Sequence, residues 1–177
     1  MTSPHRVVDS PVGPIGLSAD SSGRLTGVHI GSHPDVEVTG HSDTGHTEAK
    51  ERVFDETARQ LEEYFEGVRK AFDLSLAMEG SPFQRRVWAE LHTIAFGTTV
   101  TYAQLATRLG KAGAARAVGH ANARNPIPII VPCHRVIGSA GQLTGYGGGL
   151  EAKRLLLDLE AAASGTRTGA GTSVLGV

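Results

Sequence analysis

Cysteine is almost absent from this sequence of 177 residues, which contains a single one, Cys133. One thiol excludes an intramolecular disulfide and any zinc site that needs several thiolates. Such sparing use of cysteine is typical of a reducing compartment, so we expect a cytoplasmic protein. If this thiol takes part in chemistry, it acts without a second thiol to regenerate it.

Long apolar runs and a dominant charge are also lacking. No stretch of 18 apolar residues occurs, so we expect no segment that spans a membrane. No apolar core follows residues 1–6, which argues against a secretory signal. The formal net charge of −1 neither supports nor excludes a nucleic-acid partner, because a small basic patch would be hidden in the total.

The first third of the chain predicts a small sheet followed by a helix. Short, partly alternating segments indicate strands at 6–9, 15–19 and 25–30. Residues 31–47 are rich in Gly, Ser, Thr, Asp and His, without periodicity, and we expect a flexible loop there. From Glu48 to Glu66, apolar residues spaced three or four apart predict an amphipathic helix that ends at Gly67.

Capping signals place the helices of the second half. Ser81, a first-turn proline and Gln84 form a capping box that begins one helix. Thr101 and Gln104 repeat the pattern, and the helix they begin ends at Gly110. Two further helices are predicted, at 114–123 and at about 151–163.

These patterns predict an α/β (α+β) protein with two parts. We expect a small N-terminal sheet-and-helix domain over residues 1–79 and a mostly helical C-terminal domain over residues 80–163. The C-terminal domain should contain a helix-turn-helix. Residues 164–177 are rich in glycine and threonine and are expected to form a disordered tail.

Cys133 is the residue with the clearest chemical potential. It follows Ile129–Val131, a segment that we expect to lead extended into it. A lone cysteine is more often a small buried side chain than a nucleophile. Its neighbours favour reactivity, because Pro132 rigidifies the approach while His134 and Arg135 would lower the pKa of the thiol.

His134 is badly placed to take the Cys133 proton directly, since adjacent side chains diverge. We expect it to act through a bridging water, with its ring oriented by a carboxylate such as Glu160 on the last helix. A papain-like hydrolase would instead draw its histidine from far away in sequence. The chain has eight histidines, which leaves that alternative open.

The helices predicted at 101–110 and 114–123 are joined by a short connection that contains glycine, as in a helix-turn-helix. An ordinary packed helical pair would have the same pattern. The second helix consists mainly of alanine and glycine around Arg116, and an arginine on so thin a helix suits insertion into a base stack or groove. Lys111 and Arg124 could add phosphate contacts, although single basic residues are usually solvated.

Residues 81–160 resemble the O6-alkylguanine-DNA alkyltransferases, also called methylated-DNA–protein-cysteine methyltransferases. The resemblance is carried by Tyr102–Ala106, Ala114–Gly119, Asn125–Val136, Gly145–Leu150 and Lys153. The Pro-Cys-His-Arg-Val run after Asn125-Pro126 is the most specific part. The first 80 residues are similar only in outline, as the small α/β domain that these proteins carry.

The resemblance implies a role for particular positions. Cys133 would be the nucleophile, with His134 as water-mediated base and Glu160 orienting it. Asn125 would brace the turn at the active site, and Tyr102 would donate toward the flipped guanine as it leaves. Further implied DNA contacts are Arg116, as the finger that fills the gap in the duplex, with Ala115, Ser139, Lys111 and Arg124. The implied base pocket consists of Val131, Tyr146, Gly147 and Gly148.

The implied function is repair of double-stranded DNA by irreversible transfer of an alkyl group from O6-alkylguanine to Cys133. The resemblance also allows O4-alkylthymine as a second substrate. No cofactor is expected, and no metal, because the N-terminal domain has no cysteine for the zinc site of some relatives. We expect a monomer that could assemble cooperatively on DNA. Gly147 replaces a serine of many relatives, which would remove one bond to the lesion. Two alternatives remain: a non-catalytic protein that recognises alkylated DNA, and a cysteine hydrolase.

Overall fold

Three antiparallel strands, β1 (Arg6–Val8), β2 (Ile15–Ala19) and β3 (Leu25–Ile30), form a sheet in the order β1-β2-β3. The computed structural model describes residues 6–31 and 48–165. The loop expected at 31–47 lies outside these residues beyond its first position, and so does the expected tail from residue 166 onward. Every residue of β2 is buried, so the central strand forms the floor of the N-terminal core.

Helix α1 (Glu48–Phe65) covers this sheet. Its apolar face buries Phe54, Leu61 and Tyr64 completely or nearly so. The helix ends as expected at Gly67, whose φ of 76° is one that side chains with a Cβ rarely adopt. Tyr64 lies in the last turn of α1, which points its ring beyond the sheet toward the second half of the chain.

Both predicted capping boxes are confirmed. Ser81 caps α2 (Pro82–Leu91) together with Gln84, and Thr101 caps α3 (Tyr102–Arg108) together with Gln104. In each case the hydroxyl accepts the backbone N–H of the glutamine, and the glutamine side chain accepts the backbone N–H of the cap.

Helix α4 (Ala115–Ala123) packs against both α2 and α3. Trp88 of α2 donates its indole N–H to the carbonyl of Ala121, at 2.9 Å. Gly119 faces the ring of Tyr102, where a Cβ would lie 3.6 Å from the ring. These contacts place α4 between the side chains of Trp88 on α2 and Tyr102 on α3.

The segment that leads to Cys133 differs from expectation. Residues 129–131 do not run extended; they turn, with Pro128 bridged to Val131 and the Val131 N–H bonded to the Ile127 carbonyl at 2.9 Å. Ile129 has φ 73°, and it is the one non-glycine residue with positive φ in the described part of the chain. The sequence could not indicate this, because a β-branched residue ordinarily avoids that conformation.

After the turn, Cys133–Arg135 form a short 3₁₀ helix that runs into β5 (Val136–Ile137). That strand pairs in parallel with β4 (Val100–Thr101), which immediately precedes α3. The last helix, α5 (Gly149–Ser164), packs against the 3₁₀ helix. Cys133 is thereby tied to both α3 and α5.

The mixed α/β class is confirmed. Contacts join the first 78 residues to the rest: the Val28 N–H of β3 donates to the Pro126 carbonyl at 2.9 Å, and Ile30 packs on Gly148. Among residues 6–31 and 48–165, no helix is both long and apolar enough to cross a membrane.

Candidate active site

Cys133 begins the 3₁₀ helix and is only 4% exposed. Burial raises the pKa of its thiol to about 11, although a hydrogen bond from the Asn125 side chain and the charge of Lys153 act to lower it. The expectation that its neighbours would leave the thiol with a lowered pKa is therefore wrong. At neutral pH the thiol keeps its proton and needs a base.

Asn125 braces the turn before the cysteine. Its side-chain nitrogen donates to the carbonyl of Val131 at 2.8 Å, and its side-chain oxygen accepts the backbone N–H of Ile127 at 3.0 Å. The same amide also acts to lower the pKa of the Cys133 thiol. Asn125 thus fixes the backbone of the turn that leads to Cys133.

His134 and Glu160 are in direct contact, as the sequence predicted. The two are completely or almost completely buried, and His134 Nε2 lies 2.8 Å from Glu160 Oε1. Burial raises the pKa of the Glu160 carboxyl, but hydrogen bonds from His134 and Arg135 outweigh it and lower that pKa to about 2. An ionised carboxylate can only accept, so Nε2 carries the proton.

The other ring nitrogen, His134 Nδ1, is buried and has no hydrogen-bond partner among the described residues. Burial lowers the pKa of His134, against the raising effect of Glu160, so the neutral ring is favoured. A neutral imidazole with Nε2–H toward Glu160 leaves a lone pair on Nδ1. The site therefore offers one free proton acceptor next to the cysteine in sequence.

The Glu160 carboxylate holds more partners than the sequence indicated. Arg135 donates to both oxygens at 2.9 Å, the Gly97 N–H donates to Oε2 at 2.9 Å, and the Tyr64 hydroxyl donates to Oε1 at 2.7 Å. Arg135, expected to polarise the thiol, is instead committed to this carboxylate. Tyr64 and Gly97 were missed, because no local pattern links them to a residue so distant in sequence.

Lys153 is fully buried and donates to the carbonyls of Val136 and Thr144 at 2.6 and 2.9 Å. Burial lowers the pKa of its amine, whereas the nearby Cys133 thiol raises it. Its nitrogen lies 6.0 Å from the centre of the Tyr102 ring. Lys153 is one of the residues that carry the family resemblance, which assigned it no role. The structure places its charge where it stabilises a thiolate at Cys133.

Tyr102, the first residue of α3, is half-buried. Its hydroxyl donates to the Thr144 carbonyl at 3.3 Å, the same carbonyl that Lys153 contacts. Tyr102 and Lys153 therefore belong to one cluster, which meets at the Thr144 carbonyl. It remains open to solvent enough to meet a ligand.

The residues predicted to contact DNA lie outside this buried cluster. Arg116 is exposed on α4 and Ala115 is half-buried beside it. Lys111, Arg124 and Ser139 are also exposed. Arg124 donates to the ring of His120 at 3.3 Å, one helical turn earlier.

The residues predicted for the base pocket fall into two groups. Val131 is fully buried, with its carbonyl taken by Asn125, and the Tyr146 hydroxyl is buried without a partner among the described residues. Gly147 has open space around it, whereas a Cβ at Gly148 would lie 2.9 Å from the Ile30 side chain. Asn125, Gly147 and Gly148 line a cleft of about 440 Å³ beside β3.

Two family models match the chain. The one described as 6-O-methylguanine DNA methyltransferase, DNA binding domain, matches residues 82–162, and the one described as 6-O-methylguanine DNA methyltransferase, ribonuclease-like domain, matches residues 5–78. Together they cover the described strands and helices except the last two residues of α5.

Curated proteins and solved structures similar to this chain include the following. The methylated-DNA–protein-cysteine methyltransferase of Mycobacterium tuberculosis (strain H37Rv) is 46% identical over 156 residues, covering 88% of this chain and 91% of the relative. That of Methanosarcina acetivorans is also 46% identical, covering 88% and 97%. The crystal structure of Mycobacterium tuberculosis OGT in complex with DNA superposes with a TM-score of 0.75 at 44% identity, covering 89% of this chain and 92% of that one.

Proposed function

Since the chain belongs to the O6-methylguanine DNA methyltransferase family, we propose that Cys133 is the residue that accepts the alkyl group. The activity is repair of DNA by direct reversal: an alkyl group passes from O6-alkylguanine to a cysteine of the protein itself. Cys133 is the only cysteine of the chain. The proposal assigns roles to the groups around it.

The observation that carries the proposal is the buried Nδ1 of His134, which has no hydrogen-bond partner among the described residues and belongs to the residue that follows Cys133, whose thiol has a raised pKa. In our mechanism the thiol proton passes through a water to Nδ1 as the DNA base enters. Glu160, ionised and bonded to Nε2, stabilises the imidazolium that forms. The charge of Lys153 stabilises the thiolate.

The thiolate then attacks the saturated alkyl carbon in line with the C–O6 bond. The carbon–sulfur bond forms as the carbon–oxygen bond breaks, and its electron pair goes to O6 of guanine. Tyr102 donates its hydroxyl proton to the departing base and regains one from the imidazolium, so that in sum the thiol proton ends on guanine. The product is a thioether, which has no carbonyl for water to attack, so each molecule reacts once.

For DNA binding, α3 and α4 act as a helix-turn-helix in our proposal, with Arg116 filling the space of the flipped nucleotide. The exposure of Arg116 on a helix of small residues supports this role. Lys111, Arg124, Ser139 and Ala115 lie along the duplex. We place the flipped base against Val131 and the loop Tyr146–Gly148.

The wider proposals concern organisation. A unit of residues 80–163 carries the chemistry, and a unit of residues 1–79 supports it, as the contacts from Val28 to Pro126 and from Ile30 to Gly148 favour. The protein works as a monomer in the cytoplasm with access to DNA, and several copies could assemble along a duplex.

Intact-protein and peptide mass spectrometry after incubation with an O6-methylguanine oligonucleotide tests the proposal. One methyl group should appear on the peptide with Cys133, and none in Cys133→Ser, which keeps a similar volume. Methyl on another residue, or turnover beyond one equivalent, would contradict it. Binding without any transfer would favour the recognition protein, and multiple turnovers of an acyl substrate the hydrolase.

A further inference from the structure

We propose that Tyr64 is a positioning residue for alkyl transfer: its hydroxyl, brought from α1, holds the Glu160 carboxylate so that His134 keeps Nδ1 free as the proton acceptor. The inference rests on the proposed function of Cys133 and His134. It gives the N-terminal part of the chain, residues 5–78 in the family match, a direct share in the acid–base chemistry.

The geometry of Tyr64 points to this role. The residue is 0% exposed, and its hydroxyl oxygen lies 2.7 Å from Glu160 Oε1 and 3.5 Å from His134 Nε2. Burial raises the pKa of Tyr64, and the charge of Glu160 raises it further, so the hydroxyl stays protonated and donates. It therefore touches the one carboxylate oxygen that His134 also uses.

Packing of the ring alone does not require the hydroxyl. The Tyr64 ring stands among Phe65, Phe72 and Phe96, with ring centres 5.4 to 6.0 Å apart. A phenylalanine would fill the same aromatic cluster. A buried hydroxyl is costly to desolvate unless it finds a partner, and the partner here belongs to the acid–base pair.

The effect on His134 follows from charge sharing at Oε1. That oxygen accepts from Tyr64, His134 and Arg135. Each added donor takes up part of the negative charge and weakens the pull on the Nε2 proton. Loss of the Tyr64 hydroxyl should therefore make Glu160 a stronger partner for the imidazolium and raise the pKa of His134.

Other charged or titratable groups face His134 as well. They are Glu160 and Lys153 from α5, Arg135 from the 3₁₀ helix, and Tyr146 from the loop before α5. Tyr64→Phe changes none of these side chains. A change in the titration of His134 in such a variant is then due to that hydroxyl.

The test compares Tyr64→Phe with wild type and with Thr57→Val. Thr57 is a matched control, because it is a fully buried hydroxyl of the same helix that donates to the Val53 carbonyl at 2.6 Å and does not contact Glu160. Single-turnover rates of methyl transfer from an O6-methylguanine duplex are measured across the acid and neutral pH range, with unfolding midpoints recorded for each variant.

In Tyr64→Phe we expect the higher pKa of His134 to leave less of the neutral base, so that transfer at a pH on the acid limb of the rate profile is up to about tenfold slower. The acid limb of the rate profile should move to higher pH by up to about one unit. Thr57→Val should keep the wild-type limb. A Tyr64→Phe profile that superposes on wild type, or an equal shift in Thr57→Val, would overturn the inference.

A second substitution keeps the test open if Tyr64→Phe does not fold. Fluorotyrosine at position 64 preserves the ring and the hydroxyl but makes it a stronger donor, so the acid limb should move the opposite way, to lower pH. A shift to higher pH or none would again overturn the inference. Absence of methyl on Cys133 in wild type would instead count against the proposed function.

Discussion

The side-chain nitrogen of Asn125 lies 2.8 Å from the carbonyl oxygen of Val131 and ties the two ends of the turn that precedes Cys133. Asn125→Ala should leave that carbonyl and the Ile127 N–H without their partner, at a cost of about 1–3 kcal/mol in the free energy of unfolding. Transfer should slow as well, because the turn that positions Cys133 loses the side chain that braces it. Chemical denaturation and single-turnover kinetics measure the two effects.

Asn125→Asp separates the bonds of this amide. The carboxylate can still accept the Ile127 N–H, but it repels the Val131 carbonyl and places a negative charge beside the sulfur, which disfavours the thiolate. We expect slower transfer than in Asn125→Ala. Wild-type kinetics in Asn125→Asp would show that the bond to Val131 is dispensable.

The left-handed backbone of Ile129 predicts an asymmetry between two neighbours. Ile127 and Ile129 are both 0% exposed, but only Ile129 has a positive φ. Replacing either by glycine removes buried apolar volume, whereas only Ile129→Gly relieves a strain of about 1–2 kcal/mol. Urea denaturation should therefore find Ile129→Gly less destabilised than Ile127→Gly by about that amount; equal losses would contradict the strain.

Two adjacent glycines should respond differently to serine. A Cβ at Gly147 meets nothing within 4 Å, whereas one at Gly148 would lie 2.9 Å from the Ile30 side chain. Gly147→Ser should fold like wild type and add a hydroxyl toward the base, with equal or faster transfer. Gly148→Ser should lose stability through the contact with β3. Thermal melts and transfer rates of the pair check this, and equal stability would contradict the close packing.

Arg116 should matter for duplex DNA and not for the thiol. Arg116→Ala should weaken duplex binding and slow repair of duplex, since the energy that offsets flipping is lost. Thiol titration of Cys133 with a small alkylating reagent should be unchanged. Arg52→Ala on α1 makes the same charge change at an exposed position that pairs only with Glu48 in the described contacts. Equal effects of both variants would remove the finger role.

Burial of the Cys133 thiol predicts a stability change in mild alkali. Its pKa is raised from 9.0 to about 11 in the folded protein, so above about pH 9 the unfolded chain ionises first. The contribution of the buried neutral thiol to the free energy of unfolding is complete below the pKa of the unfolded state. It falls as the pH rises toward the pKa of the folded state, by at most about 1.4 kcal/mol per pH unit. Unfolding curves between about pH 8 and pH 10 should show this slope in wild type and lack it in Cys133→Ser.

Local signals carried the sequence predictions furthest. Two capping boxes each involve residues three apart, and the bond geometry follows from their chemistry alone. The contact of His134 with Glu160 was also predicted, because the family resemblance carried by the run around Cys133 implied that Glu160 orients His134. The distance between these two side chains could be obtained only from the structure.

The features that the sequence did not predict depend on contacts and burial in the folded protein. The bond from Tyr64 to Glu160 joins residues 96 positions apart, and nothing in α1 distinguishes that tyrosine from a core residue. Arg135 adjoins His134, which suggested a shared effect on the thiol, but its guanidinium turns to the carboxylate instead. The raised pKa of Cys133 likewise depends on burial, which composition does not reveal.

The hydrogen bond from Val28 to the Pro126 carbonyl connects the sheet to the turn that shapes the site. In a genetic screen for loss of repair, substitutions in β3 would therefore be recovered alongside those at Cys133, although β3 holds no reacting group. Mutational maps of this protein should accordingly show sensitive positions in two separated blocks of sequence, whose residues lie next to each other in the fold.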